Sequence, residues 1–361
     1  MIANKKNKFE PDYAVPPGET LLEINESLNM SKKELALRLE LTEQTINRII
    51  KGIQPITYTT ANKLELVTGI SAKFWNNLET NYREQLAKLQ EQEQLKINIL
   101  WLNKIPVTEL IKRGFVKQSD SKIEQLRNIL QFYGVSSVKS WESVWERPKL
   151  AARRSLCFET KPEIASAWIR CGEIKASNIY CDKFDINTFK DALNEIRGLT
   201  ILNPDVFLPQ MTELCKKSGI ALTLIPKMDK VPWNGASKWV SSEKGLIILN
   251  IRGKTEDKFW FSFFHEANHI LHDSKKGLYI ADGTSDPNEI RADKFAADFL
   301  IPSKYNPIIQ NFTEKKEFIE FAQQLGISVG IVVGRFQHIT KKWNKFKYLI
   351  KSFQWKDNNS A

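Results

Sequence analysis

Phe263-Phe-His265-Glu266-Ala-Asn-His269-Ile-Leu-His272 is the stretch of the 361-residue chain that decides its fold and its chemistry. It contains the pattern His-Glu-x-x-His. On a helix, residues four positions apart share one face, so the imidazoles of His265 and His269 can bind one metal ion. Glu266, between them, can take a proton from a water molecule at that metal. The sequence therefore predicts a helix that carries two zinc ligands and a general base.

Apolar residues on both sides of the motif predict a buried helix from about Glu256 to His272. A buried imidazole needs a partner, and a metal ion is one. The alternative is a core helix with two hydrogen-bonded histidines. His272 is too close to His269 to be the further-downstream third histidine of some zinc proteases, so we expect it in a pocket wall or in the core. The apolar residues are Phe259, Trp260, Phe263, Phe264, Ile270 and Leu271.

A third metal ligand is expected, because catalytic zinc usually has three protein ligands and one open position. Glu289 lies twenty residues after His269, at the start of a second helix expected from Pro287 to Leu300. Asp293 is one turn further along, where it can orient a ligating histidine through a hydrogen bond. Asp286-Pro-Asn-Glu289 is also a capping box, so helix capping is the competing role for Glu289.

Upstream of the motif, from Gly219 onward, the sequence changes to a β-rich pattern. Pro and Gly separate three short runs of β-branched and apolar residues, which predict strands. We expect the third run to form an edge strand that aligns a substrate backbone by strand addition. Downstream of the motif, helices are expected near residues 314–325 and 328–354. The three predicted strands are residues 220–225, 238–240 and 246–251.

Residues 19–94 predict short helices with clear start signals. Ser31 can cap one helix, and Glu34, three residues later, can reach back to complete a capping box. Thr42 can cap the next helix, which ends before Gly52.

The zinc motif and its surroundings resemble the ImmA/IrrE family of metallo-endopeptidases. The resemblance runs from about Cys215 to His338. It implies a gluzincin-like fold and cleavage of helix-turn-helix repressors, with zinc on His265, His269 and Glu289 and with Glu266 as the base. One departure is Arg291, which stands where a second acidic residue is common and leaves Glu289 as the only carboxylate candidate there. The stretches that carry the resemblance are Phe263 to His272, Glu289-Ile-Arg-Ala-Asp-Lys-Phe-Ala-Ala-Asp-Phe-Leu-Ile-Pro302, Gly235-Ala-Ser-Lys-Trp239, Asp257-Lys-Phe-Trp-Phe-Ser-Phe263 and Gly330-Ile-Val-Val-Gly-Arg335.

Residues 16–90 resemble HigA-type antitoxins, which are helix-turn-helix proteins of the XRE class. The resemblance implies operator DNA as a partner. One position departs from it: Glu40 stands where the turn usually has glycine, and a glutamate in the left-handed backbone conformation is strained. The matching stretches are Pro17-Gly-Glu-Thr-Leu-Leu22, Ser31-Lys-Lys-Glu-Leu-Ala36, Thr42-Glu-Gln-Thr-Ile-Asn-Arg-Ile-Ile-Lys-Gly52 and Phe74-Trp-Asn-Asn-Leu78.

In a helix-turn-helix motif, the second helix enters the major groove with its N-terminal residues against base edges. Gln can pair with adenine, Arg with guanine, and Glu can accept from cytosine. The alternative is a solvated helix face in a protein-interaction domain. The candidates for base contacts are Glu43, Gln44, Thr45 and Arg48. The candidates for phosphate contacts are Lys32, Thr42 and Lys51, and Lys5, Lys6 and Lys8 can add non-specific affinity.

The net charge of +11 is unevenly distributed. Residues 1–95 hold 12 Lys and Arg against 13 Asp and Glu, whereas the remainder balances to +12. A basic excess can attract nucleic acid or keep a protein soluble. Because the excess lies outside the helix-turn-helix segment, it is not in itself evidence for that DNA-binding interpretation.

Composition limits the class of protein. Hydrophobic residues make up 42% and charged residues 26%, which is ordinary for globular domains. No segment approaches the ~20 apolar residues of a membrane helix, and no apolar run follows the N-terminal lysines. We therefore expect a cytoplasmic protein without a membrane partner. The four cysteines form no C-x-x-C pair and are expected to be reduced thiols.

These observations predict a mainly α protein with a small β-sheet (α+β). An N-terminal all-α helix-turn-helix domain is expected over residues 1–94, a helical connecting region over 95–205, and a gluzincin-like zinc peptidase domain over 206–361. The polar stretch 91–94 is a candidate helix end and boundary, and the alternative is a continuous helix that bridges two domains, because these residues favour helix.

The predicted function is a DNA-binding transcriptional regulator with zinc-dependent endopeptidase activity, latent or constitutive. It is expected to bind an operator as a homodimer and to cleave a helix-turn-helix repressor, or itself near residues 90–100. The alternative is an antitoxin-like autorepressor, with a toxin as partner, whose peptidase-like domain only binds a partner. Arg335 and His338 are candidates for substrate binding.

Overall fold

The computed structural model describes residues 11–146, 162–228, 233–250, 255–273, 275, 278–280 and 287–354. It divides into two compact units, residues 1–99 and 100–361. Its described residues are mainly helical and include a four-stranded sheet, which confirms the predicted α+β class. Among them, no helix has the length and apolar content to cross a bilayer. The predicted three-part domain division stays a prediction.

The first unit is helical over its described residues. Short helices surround a core of aliphatic side chains and the buried Trp75. Gly18, in the first helix, lies so close to the third that a β-carbon on it would be 2.1 Å from the Ile50 Cα. A side chain at residue 18 would therefore separate the two helices. The helices are α1 (Pro17–Ser27), α2 (Lys32–Arg38), α3 (Glu43–Ile50), α4 (Tyr58–Thr68) and α5 (Ala72–Asn98).

Two predicted caps start α2 and α3. The Ser31 hydroxyl accepts a hydrogen bond from the Glu34 backbone N–H (3.1 Å), and the Thr42 hydroxyl accepts one from the Thr45 backbone N–H (3.1 Å). The capping box predicted at Ser31 is only half formed, because the Glu34 carboxylate accepts from Arg38 (2.6 Å) one turn along α2 instead. An ion pair along the helix has replaced the reciprocal bond.

Helix α5 continues through residues 91–94 to Asn98, so the helix end expected at 91–94 was wrong. Gln and Glu favour helix, and nothing in this stretch breaks one. A Lys96–Glu93 ion pair (2.6 Å) also joins successive turns there.

The second unit is built around its sheet, which has the strand order β1-β3-β2-β4. β1 pairs with β3 in parallel, and β2 pairs antiparallel with both β3 and β4. The strand expected at the edge is therefore an inner strand, β3. Its run of buried apolar residues is typical of a strand that is covered on both faces of the sheet. The strands are β1 (Ile220–Leu224), β2 (Gly235–Ser241), β3 (Lys244–Leu249) and β4 (Leu278–Ile280), and β4 was not predicted.

Helices surround the sheet, and the helix with the zinc motif is buried among them. Phe189, Leu193 and Ile196 share one core with Phe207 and with the motif helix, so the predicted boundary at residue 205 falls inside this core. The helices before the sheet are α6 (Val107–Lys112), α7 (Lys122–Tyr133), α8 (Val138–Trp141), α9 (Pro162–Ser177), α10 (Ile186–Gly198) and α11 (Pro204–Lys217). Those after it are α12 (Glu256–His272), α13 (Pro287–Leu300), α14 (Asn306–Ile309), α15 (Lys315–Leu325) and α16 (Val329–Thr340).

Helices α12 and α13 have the bounds that the sequence predicts. The last helix is shorter than the predicted 328–354, because α16 ends at Thr340. Lys341 (φ 60°) and Phe346 (φ 59°) adopt the left-handed conformation, which ends the helix and turns the chain. A short 3-10 helix, Lys347–Leu349, follows.

Glu40, in the turn between α2 and α3, has a φ of 51°, so it adopts the strained conformation that its position suggests. Its carboxylate pairs with Lys63 (2.7 Å) on α4. We expect Glu40→Gly to raise the melting temperature of the first unit by roughly 5 °C relative to Glu40→Ala, because only glycine relieves the backbone strain. Both variants lose the ion pair, so the comparison isolates the backbone. Equal melting temperatures in calorimetry of the full chain would contradict this account.

Candidate metal centre

Helix α12 places His265 and His269 on one buried face, one turn apart, with their Nε2 atoms 3.1 Å from each other. Helix α13 packs beside α12 and brings the carboxylate of Glu289 to them. Glu289 Oε2 lies 3.1 Å from the Nε2 of His265, and Oε1 lies 3.2 Å from the Nε2 of His269. The structure thus brings together the three residues that the sequence nominates as metal ligands.

The donor set and its spacing fit a zinc ion. Ligand atoms at 2.0–2.1 Å from a tetrahedral zinc ion are about 3.3 Å apart, close to the separations in this cluster. Glu289 is 7% exposed and faces the two imidazoles. Asp286, the other half of the capping box considered for Glu289, lies outside the described residues.

A carboxylate holds the far nitrogen of each histidine. Asp293 Oδ1 lies 2.8 Å from the Nδ1 of His265, and Asp273 Oδ2 lies 2.5 Å from the Nδ1 of His269. Each contact leaves the Nε2 atom for the cluster and fixes the orientation of its ring. The role of Asp293 was predicted from the sequence, whereas that of Asp273 was not. The signal was present, because residues 269 and 273 are four apart and share a helix face.

Arg291 is held by the residues around the cluster. Its guanidinium donates to the carboxylate of Asp273 and to the side-chain oxygen of Asn268 (3.4 Å). The positive charge that stands in place of a second acidic residue is therefore paired with the aspartate that orients His269.

The charges of the cluster are strongly coupled. Burial disfavours the charged form of His265, but hydrogen bonds to Asp293 and Glu289 outweigh it and raise its pKa to about 10. The pKa of His269 is also raised against burial, chiefly by its hydrogen bond to Glu289. Burial would raise the pKa of Glu289, yet the two histidines lower it to about 2. The carboxylate is therefore charged at neutral pH.

Glu266 is fully buried beside the cluster, with the Ser237 hydroxyl of β2 near its carboxylate. Burial raises its pKa to about 7, although the neighbouring histidines oppose the shift. Gly235 at the start of β2 makes room for it, since a β-carbon there would lie 2.7 Å from Glu266 Oε1. A carboxylate with a pKa near neutrality is suited to accept and return a proton.

The remaining histidine of the motif region, His272, is exposed and lies outside the cluster. Its ring contacts Phe295 edge-on (6.2 Å) in the wall of a shallow surface pocket. This matches the pocket-wall alternative rather than the core.

A cavity of about 400 Å³ lies between α12, α13 and α16, next to the cluster. Asp293 and Phe261 connect it to His265, since Asp293 accepts from the imidazole and the Phe261 ring contacts it (6.3 Å). Arg335 and His338 line the cavity. The Arg335 guanidinium donates to the carbonyls of Ala297 and Ile301 at the end of α13, and a role of either residue in substrate binding stays a prediction.

The candidate DNA face of the first unit is largely exposed. Ile46 and Ile49 on α3 are buried, as the motif requires. The side chains of Thr45 and Lys32 are half-buried. Lys5, Lys6 and Lys8 lie outside the described residues, and the DNA contacts stay predictions. The exposed candidates are Thr42, Glu43, Gln44, Arg48 and Lys51.

Two family models match the chain. Residues 21–75 match the helix-turn-helix family, and residues 215–337 match the IrrE N-terminal-like domain of a peptidase family. A relative from Dichelobacter nodosus, virulence-associated protein I, is 34% identical over 88 residues, which are 24% of this chain and 79% of the relative. The chain belongs to the helix-turn-helix family and carries an IrrE-like domain. A second relative, the uncharacterized HTH-type transcriptional regulator YddM of Escherichia coli K12, is 35% identical over 63 residues, which are 18% of this chain and 67% of that protein.

Solved structures similar to the helix-turn-helix unit include two from Pseudomonas aeruginosa. PA4674 in complex with its operator DNA is 30% identical, with 21% of this chain and 82% of that chain covered and a TM-score of 0.20. The antitoxin HigA with the higBA promoter is 29% identical, with 23% and 90% covered and a TM-score of 0.22. Both likenesses concern a small part of this chain.

The two orienting carboxylates of the IrrE-like domain can be tested separately. We expect Asp273→Asn and Asp293→Asn each to weaken zinc binding roughly 10–100-fold, because each removes the charged partner that orients a histidine. Asp191→Asn, at an exposed position on α10, is the matched control and should leave affinity unchanged. Competition with a chromogenic chelator measures the affinities. Wild-type affinity in both cluster variants would show that these carboxylates do not support metal binding.

The raised histidine pKa values predict pH-dependent metal binding. Imidazoles must be neutral to bind zinc, so binding at pH 7 must release a proton from His265, whose pKa is raised to about 10. Affinity should rise with pH by about tenfold per pH unit for each proton released, up to the pKa of His265. Calorimetric titration in buffers of different ionisation enthalpy measures the release. His272→Ala should keep the same slope, and an affinity independent of pH would refute the coupling.

Proposed function

We propose that this chain is a DNA-binding transcriptional regulator with a zinc-dependent endopeptidase activity. The observation that carries the proposal is the convergence of His265, His269 and Glu289 next to the fully buried carboxylate of Glu266. A core histidine pair would need neither the converging carboxylate of Glu289 nor a second, fully buried carboxylate beside it.

The residues divide the chemistry between them. His265, His269 and Glu289 would hold zinc, and the chemistry that zinc supplies when bound is polarisation of the scissile carbonyl and a lower pKa for water. Glu266 accepts the proton of the attacking water and delivers it to the leaving amine. Asp293 and Asp273 keep the imidazoles in the orientation that this requires.

The substrate backbone is proposed to lie along β4. Among the described strands, β4 is an edge of the sheet, and its inner neighbour β2 begins at Gly235 against Glu266. An extended peptide can add to a free strand edge by main-chain hydrogen bonds. The role first given to residues 246–251 therefore passes to the edge beside the cluster.

The substrate is proposed to be a separate protein, such as a helix-turn-helix repressor. Self-cleavage near residues 90–100 is the weaker possibility, because α5 is helical through residue 98 and a helix cannot add to a strand edge without unwinding. A protein with an extended, accessible segment meets the requirement directly.

DNA recognition is proposed for the exposed face of α3. Gln44 and Arg48 are exposed there, one turn apart, while Ile46 and Ile49 anchor the helix to the core. A homodimer would bind two half-sites of a palindrome. A toxin partner stays a prediction from the resemblance alone.

Glu266→Gln should retain zinc and lose cleavage by about 10²–10⁴-fold, because the ligands are intact and the base is gone. His265→Ala should lose both cleavage and the bound metal. Glu195→Gln, at an exposed position on α10, is the matched control. Metal analysis and mass-spectrometric detection of fragments from candidate repressors measure both effects. Unchanged turnover in Glu266→Gln would remove this residue from the mechanism.

Gln44→Ala combined with Arg48→Ala should abolish operator binding and reporter repression. If cleavage relieves repression, Glu266→Gln should repress more strongly than wild type under inducing conditions. Equal repression by wild type and Glu266→Gln under every stress would show that cleavage does not control repression. Undiminished operator binding by the Gln44 and Arg48 variant would reject α3 as the reading helix.

A further inference from the structure

The positive charge of the chain lies away from its helix-turn-helix unit. Residues 1–95 carry one more acidic than basic residue, and the remainder carries an excess of twelve basic residues. Phosphate neutralisation by Lys and Arg supplies much of the affinity of a protein for DNA. A DNA-binding unit without net positive charge gains little affinity from phosphate neutralisation. A basic surface elsewhere in the chain can supply that affinity.

The excess is concentrated near the end of the second unit. Residues 321–356 contain seven Lys and Arg and no Asp or Glu. We call residues 341–351 the lysine segment. The ion pairs of the described residues use other lysines, such as Lys238 with Glu173 and Lys316 with Glu320. The five exposed lysines of the segment are Lys341, Lys342, Lys345, Lys347 and Lys351.

The backbone of the lysine segment is fixed to the IrrE-like domain. The Phe346 ring packs on Phe318 (4.7 Å) and Phe336 (5.7 Å). The Lys351 N–H donates to Glu256 Oε1 (3.0 Å), and the Lys351 carbonyl accepts from the Glu256 N–H (3.0 Å) at the start of α12. The lysines therefore project from an ordered support, which lowers the entropy lost on binding.

Two aromatic side chains lie exposed among these lysines. Trp343 is 57% exposed and Tyr348 is 72% exposed. The Lys341 ammonium lies over the Trp343 ring (5.7 Å). A surface that only keeps a protein soluble needs charge but no exposed aromatic rings. Lysines with interleaved exposed rings are typical of surfaces that bind phosphates and stack bases.

We propose that the lysine segment is a second DNA-binding surface, which contacts phosphates through its lysines and stacks unpaired bases on Trp343 and Tyr348. Binding to this surface does not depend on the DNA sequence and does not involve α3. Because Trp343 and His338 also line the cavity beside the metal cluster, DNA bound there would lie at the rim of that cavity.

The test uses the full chain with Gln44→Ala and Arg48→Ala, so that operator recognition does not contribute and its failure cannot be confused with failure of this surface. Fluorescence anisotropy measures binding to short random-sequence DNA, single-stranded and duplex, over a range of salt. Exchange of Lys341, Lys342, Lys345 and Lys347 for Gln should lower affinity at least about tenfold. For duplex DNA, it should also reduce the slope of log affinity against log salt concentration by roughly three.

The control variant removes the same charge from the same unit. Lys112, Lys117, Lys122 and Lys139 are exposed and lie outside the lysine segment, and their exchange for Gln should change affinity less than about twofold. Equal loss in the two variants, or no loss in the segment variant, would overturn the proposal.

A second arm tests the aromatic residues. Trp343→Leu combined with Tyr348→Leu should weaken binding to single-stranded DNA by about tenfold or more. It should leave binding to duplex DNA nearly unchanged. Unchanged affinity for single strands would overturn the stacking part of the proposal. Thermal unfolding of each variant verifies that these surface substitutions leave the fold intact.

Discussion

The structure depends on holding two imidazoles and a carboxylate within about 3 Å of one another inside the protein. Polar groups removed from water at this density are costly unless they satisfy each other or share a cation. The chain meets this requirement by burying α12 on nearly every side and packing α13 against it. The sheet, the neighbouring helices and the core that includes α10 and α11 fix the place where His265, His269 and Glu289 converge.

A second layer of charges holds the first in place. Asp293 and Asp273 bind the far nitrogens of the histidines, and Arg291 binds Asp273 in turn. Arg291 thus connects α13 back to the end of α12, in addition to the contact through Glu289. Arg291 can replace the acidic residue that is common at this position, because its guanidinium pairs with Asp273 in this chain.

Parts of the molecule with a clear pattern of apolar residues or a spaced motif could be predicted from the sequence. Parts without such a pattern could not. The apolar surroundings of the motif gave the bounds of α12, and the spacing to Glu289 placed the third residue of the cluster. Strand β4 could not be predicted, because its three residues, Leu278–Ile280, are too few to carry a recognisable period. The edge assignment for residues 246–251 was wrong, because an unbroken apolar run shows that both faces of the strand are covered and does not show its place in the sheet. Asp273 was missed although its position four residues after His269 was visible in the sequence.

The central claim is that His265, His269 and Glu289 form a zinc centre. The most direct measurement is a crystal structure of the protein purified with zinc, with diffraction recorded on both sides of the zinc absorption edge. The account predicts one anomalous peak about 2.0–2.2 Å from the Nε2 atoms of His265 and His269 and from a carboxylate oxygen of Glu289. No peak between these three side chains, with Glu289 hydrogen-bonded to the histidines in zinc-saturated protein, would contradict it.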